Sequence, residues 1–153
     1  MGATVKVGRD CKVTLGTYTV LGLGTWSMDG ITADQMESTE FGVKWKTYKF
    51  GMNDGGTISF SGLCDPADVT GQNVLRACNL NKSDITNMRL YIDNTSYYEP
   101  CQTTSYFGPG ALSTGYDTIK SCVNVTSYNI KADKSSLVSV DFSCKVSGVM
   151  VLV

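Results

Sequence analysis

The sequence predicts a mainly β fold, a β-sandwich or barrel subunit with one short flanking α-helix. Three observations carry this prediction. Charged residues make up only 18% of the chain while glycine (16) and tyrosine (8) are abundant, a balance that disfavours disorder and suits strands. Two stretches, 88–93 and 137–146, alternate apolar and polar residues with period two. Residues 72–78 alone show convincing helical spacing. At 153 residues the chain fits a single domain spanning 1–153. A chain of that length buries roughly 68–70% of its unfolded surface, enough for a core of its own.

From residue 4 to 15, Val5, Val7, Cys11, Val13 and Leu15 form a β-leaning stretch broken at Gly8. Residues 20–28 contain Gly22 and Gly24, which point to a bent or bulged strand. Thr32-Ala33-Asp34-Gln35 has capping-box spacing and predicts a short helical turn. A strand over 43–50 sets Val43 and Trp45 against Lys44 and Lys46. The turn residues Asn53-Asp54-Gly55-Gly56 then predict a hairpin with a strand over 57–63. Asp65-Pro66-Ala67-Asp68 stops that strand, and Asp68 or Thr70 is placed to cap a two-turn helix over 72–78. Its Val74, Leu75 and Cys78 share a side.

After a polar turn, residues 88–93 set Met88, Leu90 and Ile92 opposite Arg89, Tyr91 and Asp93. Residues 94–118 read as one long polar loop. A strand over 121–131 slips phase between Val125 and Tyr128, the mark of a bulge. Residues 137–146 alternate most strictly, and 149–153 end the chain as a buried strand.

Composition excludes several functions. Thirteen basic against fourteen acidic residues give a net charge of −1, too little positive charge for duplex binding through counterion release. Histidine is absent, which removes Ser-His, Cys-His and His-metal arrangements together. Carboxylate pairs such as Asp65 with Asp68, or Asp133 with Asp141, have nothing in the sequence to fix their separation. Residues 51–56 lack the Lys-Ser/Thr ending of a phosphate loop. No enzyme, catalytic residue, cofactor or metal site is predicted. The first ten residues hold no apolar signal core and the longest apolar run is 149–153. The expectation is a chain made in a cytoplasm with no membrane association.

Six cysteines, at 11, 64, 78, 101, 122 and 144, form no CxxC pair, so a thioredoxin-type site or zinc ribbon is not expected. Their connectivity is open, since six cysteines allow about fifteen pairings. Cys144 shares register with Val138, Val140, Phe142 and Val146 and reads as a buried thiol. Cys101 lies in the long loop. With Cys11 and Cys64 it is a candidate for disulfides between subunits, formed after release into an oxidising medium.

Three features are candidates for function. Tyr97, Tyr98, Cys101, Tyr106, Phe107 and Tyr116 make the long loop aromatic-rich, which suits a loop that grips a neighbouring subunit or one that folds back on its own sheet. Thr57, Ser59, Ser61, Asn124, Thr126, Ser139, Asp141 and Ser143 are small polar residues at outward strand positions. They suit a surface that touches without gripping, or an ordinary wet sheet face. Acidic Asp34, Glu37 and Glu40 precede basic Lys44, Lys46 and Lys49. Head-to-tail stacking would pair the two groups if they project to opposite ends of a subunit, and otherwise they are merely solvated.

Thr25-Trp26-Ser27-Met28-Asp29-Gly30-Ile31, Phe41-Gly42-Val43-Lys44-Trp45-Lys46, Gly55-Gly56-Thr57-Ile58-Ser59-Phe60-Ser61-Gly62 and Asp65-Pro66-Ala67-Asp68-Val69-Thr70-Gly71-Gln72 occur in that order before the short helix. In this order the chain resembles the tail tube (major tail) proteins of tailed bacteriophages over most of its length, most specifically over 55–72. The resemblance implies a structural virion protein of the tail, synthesised in the host cytoplasm and assembling with itself into hexameric rings stacked as a tube. It implies that strands of six subunits close into one ring-shaped β-barrel around a lumen, faced by Ser59, Ser61, Ser139, Asp141 and Ser143. The 94–118 loop would be the arm between subunits, and the charges at 34–49 would meet between rings. Implied partners are the tape measure protein, the tail terminator, baseplate or initiator proteins, a contractile sheath in some tails, and DNA passing non-specifically through the lumen. The rival reading is a monomeric or small-oligomer β-sandwich adhesin or binding module of a virion or cell surface.

Overall fold

A computed structural model describes residues 5–102 and 120–153. A 3₁₀ turn at Gly8–Asp10 leads into β1 (Lys12–Leu15), β2 (Tyr18–Thr19), β3 (Leu23–Asp29), β4 (Thr32–Glu37), β5 (Tyr48–Asp54) and β6 (Thr57–Leu63). Helix α1 (Gln72–Asn81) follows, then β7 (Met88–Tyr91), β8 (Tyr97–Pro100), β9 (Cys122–Lys131), β10 (Ser139–Ser147) and β11 (Met150–Leu152). Among the described residues, five strands form one sheet in the order β11–β8–β7–β1–β2 and four form another in the order β3–β6–β10–β9. Strands β4 and β5 pair only with each other. Every pairing is antiparallel.

Alternation explains the sandwich. In the four-stranded sheet, Trp26, Phe60, Phe142 and Tyr128 stand in one cross-strand row, and Met28, Ile58, Cys144 and Val125 in the next. These rows face inward and meet Val13, Leu15, Met88 and Leu90 of the five-stranded sheet in a single core. The Phe60 and Phe142 rings lie 5.7 Å apart, a contact worth about 0.5–1.5 kcal/mol beyond the area it buries. Truncating either ring to alanine costs about 3–5 kcal/mol.

Helix α1 packs against this core through fully buried Leu75 and half-buried Cys78, while Val74 stays partly open. It runs one turn past the predicted end and stops at Lys82, held in the left-handed conformation (φ 54°). The backbone N–H of Ser83 donates to the carbonyl of Cys78 there. At its start the N-cap position is Gly71, yet the carboxylate of buried Asp68 accepts the Gln72 N–H at 3.0 Å. Strand β6 passes so close to the chain at residue 22 that a Cβ on Gly62 would sit 2.1 Å from the Gly22 carbonyl oxygen. Both positions therefore need glycine.

Two bulges fall where glycine and phase predict them. The register of β3 on β6 shifts between Leu23 and Thr25, at Gly24. On β9, Cys144 faces Val125 and Ser143 faces Ser127, leaving Thr126 as the extra residue.

Four expectations need correction. The turn 53–56 does not close a hairpin between its flanking strands, because β6 is taken on both edges by β3 and β10 while β5 pairs back with β4. The capping-box residues 32–35 are extended, since they are the first half of β4. The strand expected over 43–50 begins only at Tyr48, and 43–47 belong to the loop joining β4 to β5. The long loop is interrupted by β8, which pairs with β7 and β11.

Candidate assembly surfaces

The open face of the four-stranded sheet brings most of the predicted small polar residues together. Thr25, Ser61, Asp141 and Asn129 line up across β3, β6, β10 and β9. Ser27, Ser59, Ser143 and Ser127 form the next row. A shallow depression of about 330 Å³ lies over these two rows. Thr25 and Ser61 share a hydroxyl–hydroxyl bond of 2.9 Å, and Thr126 donates to the Ser143 carbonyl. Asp141 is the sole charged side chain in the two rows. Ser139 lies at one end of this face between Leu63 and Lys131, and Thr57, Lys145 and Asn124 form a row at the other.

The same sheet ends on β3 and β9. The first half of the outer edge of β9 is occupied, because Val123 and Ile85 exchange both backbone hydrogen bonds and Asn79 Nδ2 donates to the Val125 carbonyl. From Ser127 to Lys131 that edge has no strand partner among the described residues.

Sequence reasoning singled out the charges of the β4–β5 hairpin but missed its exposed apolar side chains. Tyr48, Phe50 and Met52 alternate along β5, and all three are exposed. Phe41, Val43 and Trp45 are exposed on the loop between the two strands. The signal was present: apolar alternation runs past Phe50 to Met52, and Met36 marks the facing strand. At the base of the hairpin, Lys145 Nζ lies 2.5 Å from Asp54 Oδ1. The Lys145 ammonium, assisted by the Gly56 N–H, holds the Asp54 carboxyl below its usual range.

The six predicted inter-ring charges all belong to this hairpin rather than to opposite ends of the subunit. Asp34 and Glu37 are on β4, Lys49 on β5, and Glu40, Lys44 and Lys46 on the loop. Acid and base already meet there, with Lys46 Nζ 3.8 Å from Glu37.

Of the predicted interface-loop residues, Tyr106, Phe107 and Tyr116 lie outside the described residues. The other three belong to the body of the subunit. The Tyr97 ring lies tilted against Tyr91 at 4.9 Å with the Arg89 guanidinium over it, Tyr98 packs against the core, and Cys101 is buried. Burial removes Cys101 from the surface on which a disulfide between subunits would form. Cys64 is half-buried and accepts from Arg76 Nη2 at 3.2 Å, and Cys11 is half-buried beside β1. Cys144 is buried as predicted, and that burial pushes its thiol up to about 12. Among the described residues no cluster suited to a metal ion occurs, and no helix is long and apolar enough to cross a membrane.

No protein-family model matches the chain, and no curated protein matches it. Solved structures do. A chain from the tail of an empty gene transfer agent particle, refined with C6 symmetry, superposes with a TM-score of 0.69 at 14% identity, covering 97% of this chain and 99% of that one. A chain from the cap that terminates the anti-feeding prophage tube matches with a TM-score of 0.63 at 12% identity, over 100% of this chain and 93% of that one. One from the sheath–tube complex of an extracellular contractile injection system in its extended state gives 0.60 at 11% identity, over 94% and 88%. The chain thus has the fold of subunits that build virion tails and injection tubes.

Proposed function

We propose that this protein is the structural subunit of a phage-type tail tube, assembling with itself into hexameric rings that stack around a lumen. The observation that carries the reading is the four-stranded sheet, in which β3 and the second half of β9 have no further strand partner among the described residues and whose free face is lined by small, nearly uncharged side chains. Edge-to-edge joining of β3 on one subunit to the free part of β9 on the next removes both edges and closes a ring-shaped barrel. The Ser59, Ser61, Asp141 and Ser143 face then lines the lumen. A conduit for DNA must not hold phosphates, and no Lys or Arg stands in the two central rows. The tape measure protein would occupy the same lumen before DNA, and a terminator, an initiator and in some tails a sheath would meet the ends and outside of the tube. The β4–β5 hairpin serves as an arm between subunits.

Negative-stain electron microscopy across a concentration series, with and without reductant, tests this. Rings or hollow tubes are expected, and they should persist under reductant if no disulfide locks the subunits. A species that stays monomeric at every concentration, even when seeded with tail initiator complex, would reject the tube.

A further inference from the structure

The hairpin and the body of the subunit carry surfaces that suit each other. At the hairpin, Trp45 is 80% exposed and Phe50 74% exposed, so neither is seated on its own subunit. A two-stranded hairpin is marginal in water by itself, and clustered exposed apolar side chains mark a protein contact. On the body, a groove of about 430 Å³ runs beside α1, lined by Leu15, Tyr18, Val69, Val74 and Ile85 with Asp84 among them. About 150 Å³ is enough for a benzene ring. Among the described residues, Asp84 is the only charged one lining the groove. On the hairpin, Lys46 is engaged by Glu37, whereas Lys44 and Lys49 have no ion pair among the described residues.

We propose that the groove beside α1 is the seat for the hairpin tip of a second copy of this chain, with Trp45 entering the groove and Lys44 facing Asp84. The inference rests on the tube reading and specifies where its arm lands. Giver and receiver are different surfaces, so the contact is heterologous and a bound pair still offers one free groove and one free tip. Buried tryptophan anchors of this kind commonly dominate an interface.

Tryptophan emission tests it, because Trp26 and Trp45 are the only two tryptophans. With Trp26→Phe as background, Trp45 emission should shift to the blue as the protein assembles. Val74→Lys in the groove should abolish the shift and raise the assembly concentration about tenfold or more, with the melting temperature retained. Val69→Lys, at a more exposed position, serves if Val74→Lys fails to fold. Lys44→Glu or Asp84→Lys alone should weaken assembly, and the two together should restore it. Mixing Trp45→Asp with Val74→Lys subunits should give pairs that do not grow. Tubes that form equally well from both groove variants while Trp45 keeps a solvent-exposed emission would overturn the groove and leave the tube reading standing. Failure of the unmodified chain to assemble would overturn both.

Discussion

Lys145 of β10 and Asp54 of β5, 91 residues apart in sequence, form an ion pair of 2.5 Å that fastens the foot of the projecting hairpin to the end of the four-stranded sheet. Both side chains are about half exposed, so their bond orients the hairpin more than it stabilises the fold. Lys145→Met should leave the melting temperature nearly unchanged while speeding amide exchange in β4 and β5 relative to β6. Unchanged exchange in the hairpin would show that its pose is set by the backbone at 30–31 and 55–56 instead.

Gln72, the first residue of α1, is a buried polar node that ties the helix to the chain at Leu21 and Leu63. Its side-chain amide donates to the carbonyls of Leu21 (2.7 Å) and Leu63 (2.8 Å) and accepts from the Asp65 N–H (3.0 Å), all from a fully buried position. Gln72→Leu leaves three backbone groups without a partner and should cost about 3 kcal/mol in a urea unfolding curve. A loss below about 1 kcal/mol would mean that water takes over these groups.

Asp93 shapes the turn between β7 and β8. Lys6 at 2.7 Å, then the N–H groups of Thr95 and Ser96, hold its carboxyl well below the usual range. A depressed carboxyl pKa contributes stability that is complete above the ordinary range and lost as pH falls toward the lowered value. Melting temperatures of the unmodified chain should therefore exceed those of Asp93→Asn by a constant margin at neutral pH. That margin should shrink below about pH 4. A margin independent of pH down to about pH 2 would exclude the ion pair as its source.

Cys144 should be the least reactive thiol. Burial, with a smaller effect from neighbouring Cys78, pushes it up to about 12, so at pH 8 its thiolate is far scarcer than that of an ordinary cysteine. Iodoacetamide labelling followed by peptide mass spectrometry should modify Cys11 well before Cys144, which should react only on unfolding. Equal rates in the folded chain would contradict the packing around β10.

Elements whose side chains divide cleanly between core and solvent were legible. β7, β9 with its bulge, β10 and α1 announced themselves because Met88 and Leu90, Val123 and Val125, Phe142 and Cys144, and Leu75 each bury one regular face. The polar face of the four-stranded sheet followed from the same alternation. The partner of the hairpin strand was not legible: Tyr48, Phe50 and Met52 alternate as a strand does, but both faces are exposed, so no buried face says which neighbour it joins. Turn chemistry at 53–56 then assigned β5 to the wrong partner: the pairing of β6 was decided by the Trp26–Phe60–Phe142 row, a contact between distant parts of the chain. Tyr97 and Tyr98 were hidden for a related reason, since β8 is only four residues long and sits among serine, threonine and tyrosine.

The capped half of β9 has a kinetic consequence. With Ile85 occupying the edge at Val123, the β9 edge of an isolated subunit offers a newcomer only the short template from Ser127 to Lys131 among the described residues. Two such subunits meeting in solution gain few backbone bonds for the freedom they lose, whereas a subunit joining a finished ring is held at several places together. Growth should then show a lag that preformed rings abolish, as in any process whose first turn is harder than the next. Light scattering with and without sonicated tube fragments reads it directly: a lag unaffected by fragments would place the barrier within the folding of the subunit itself.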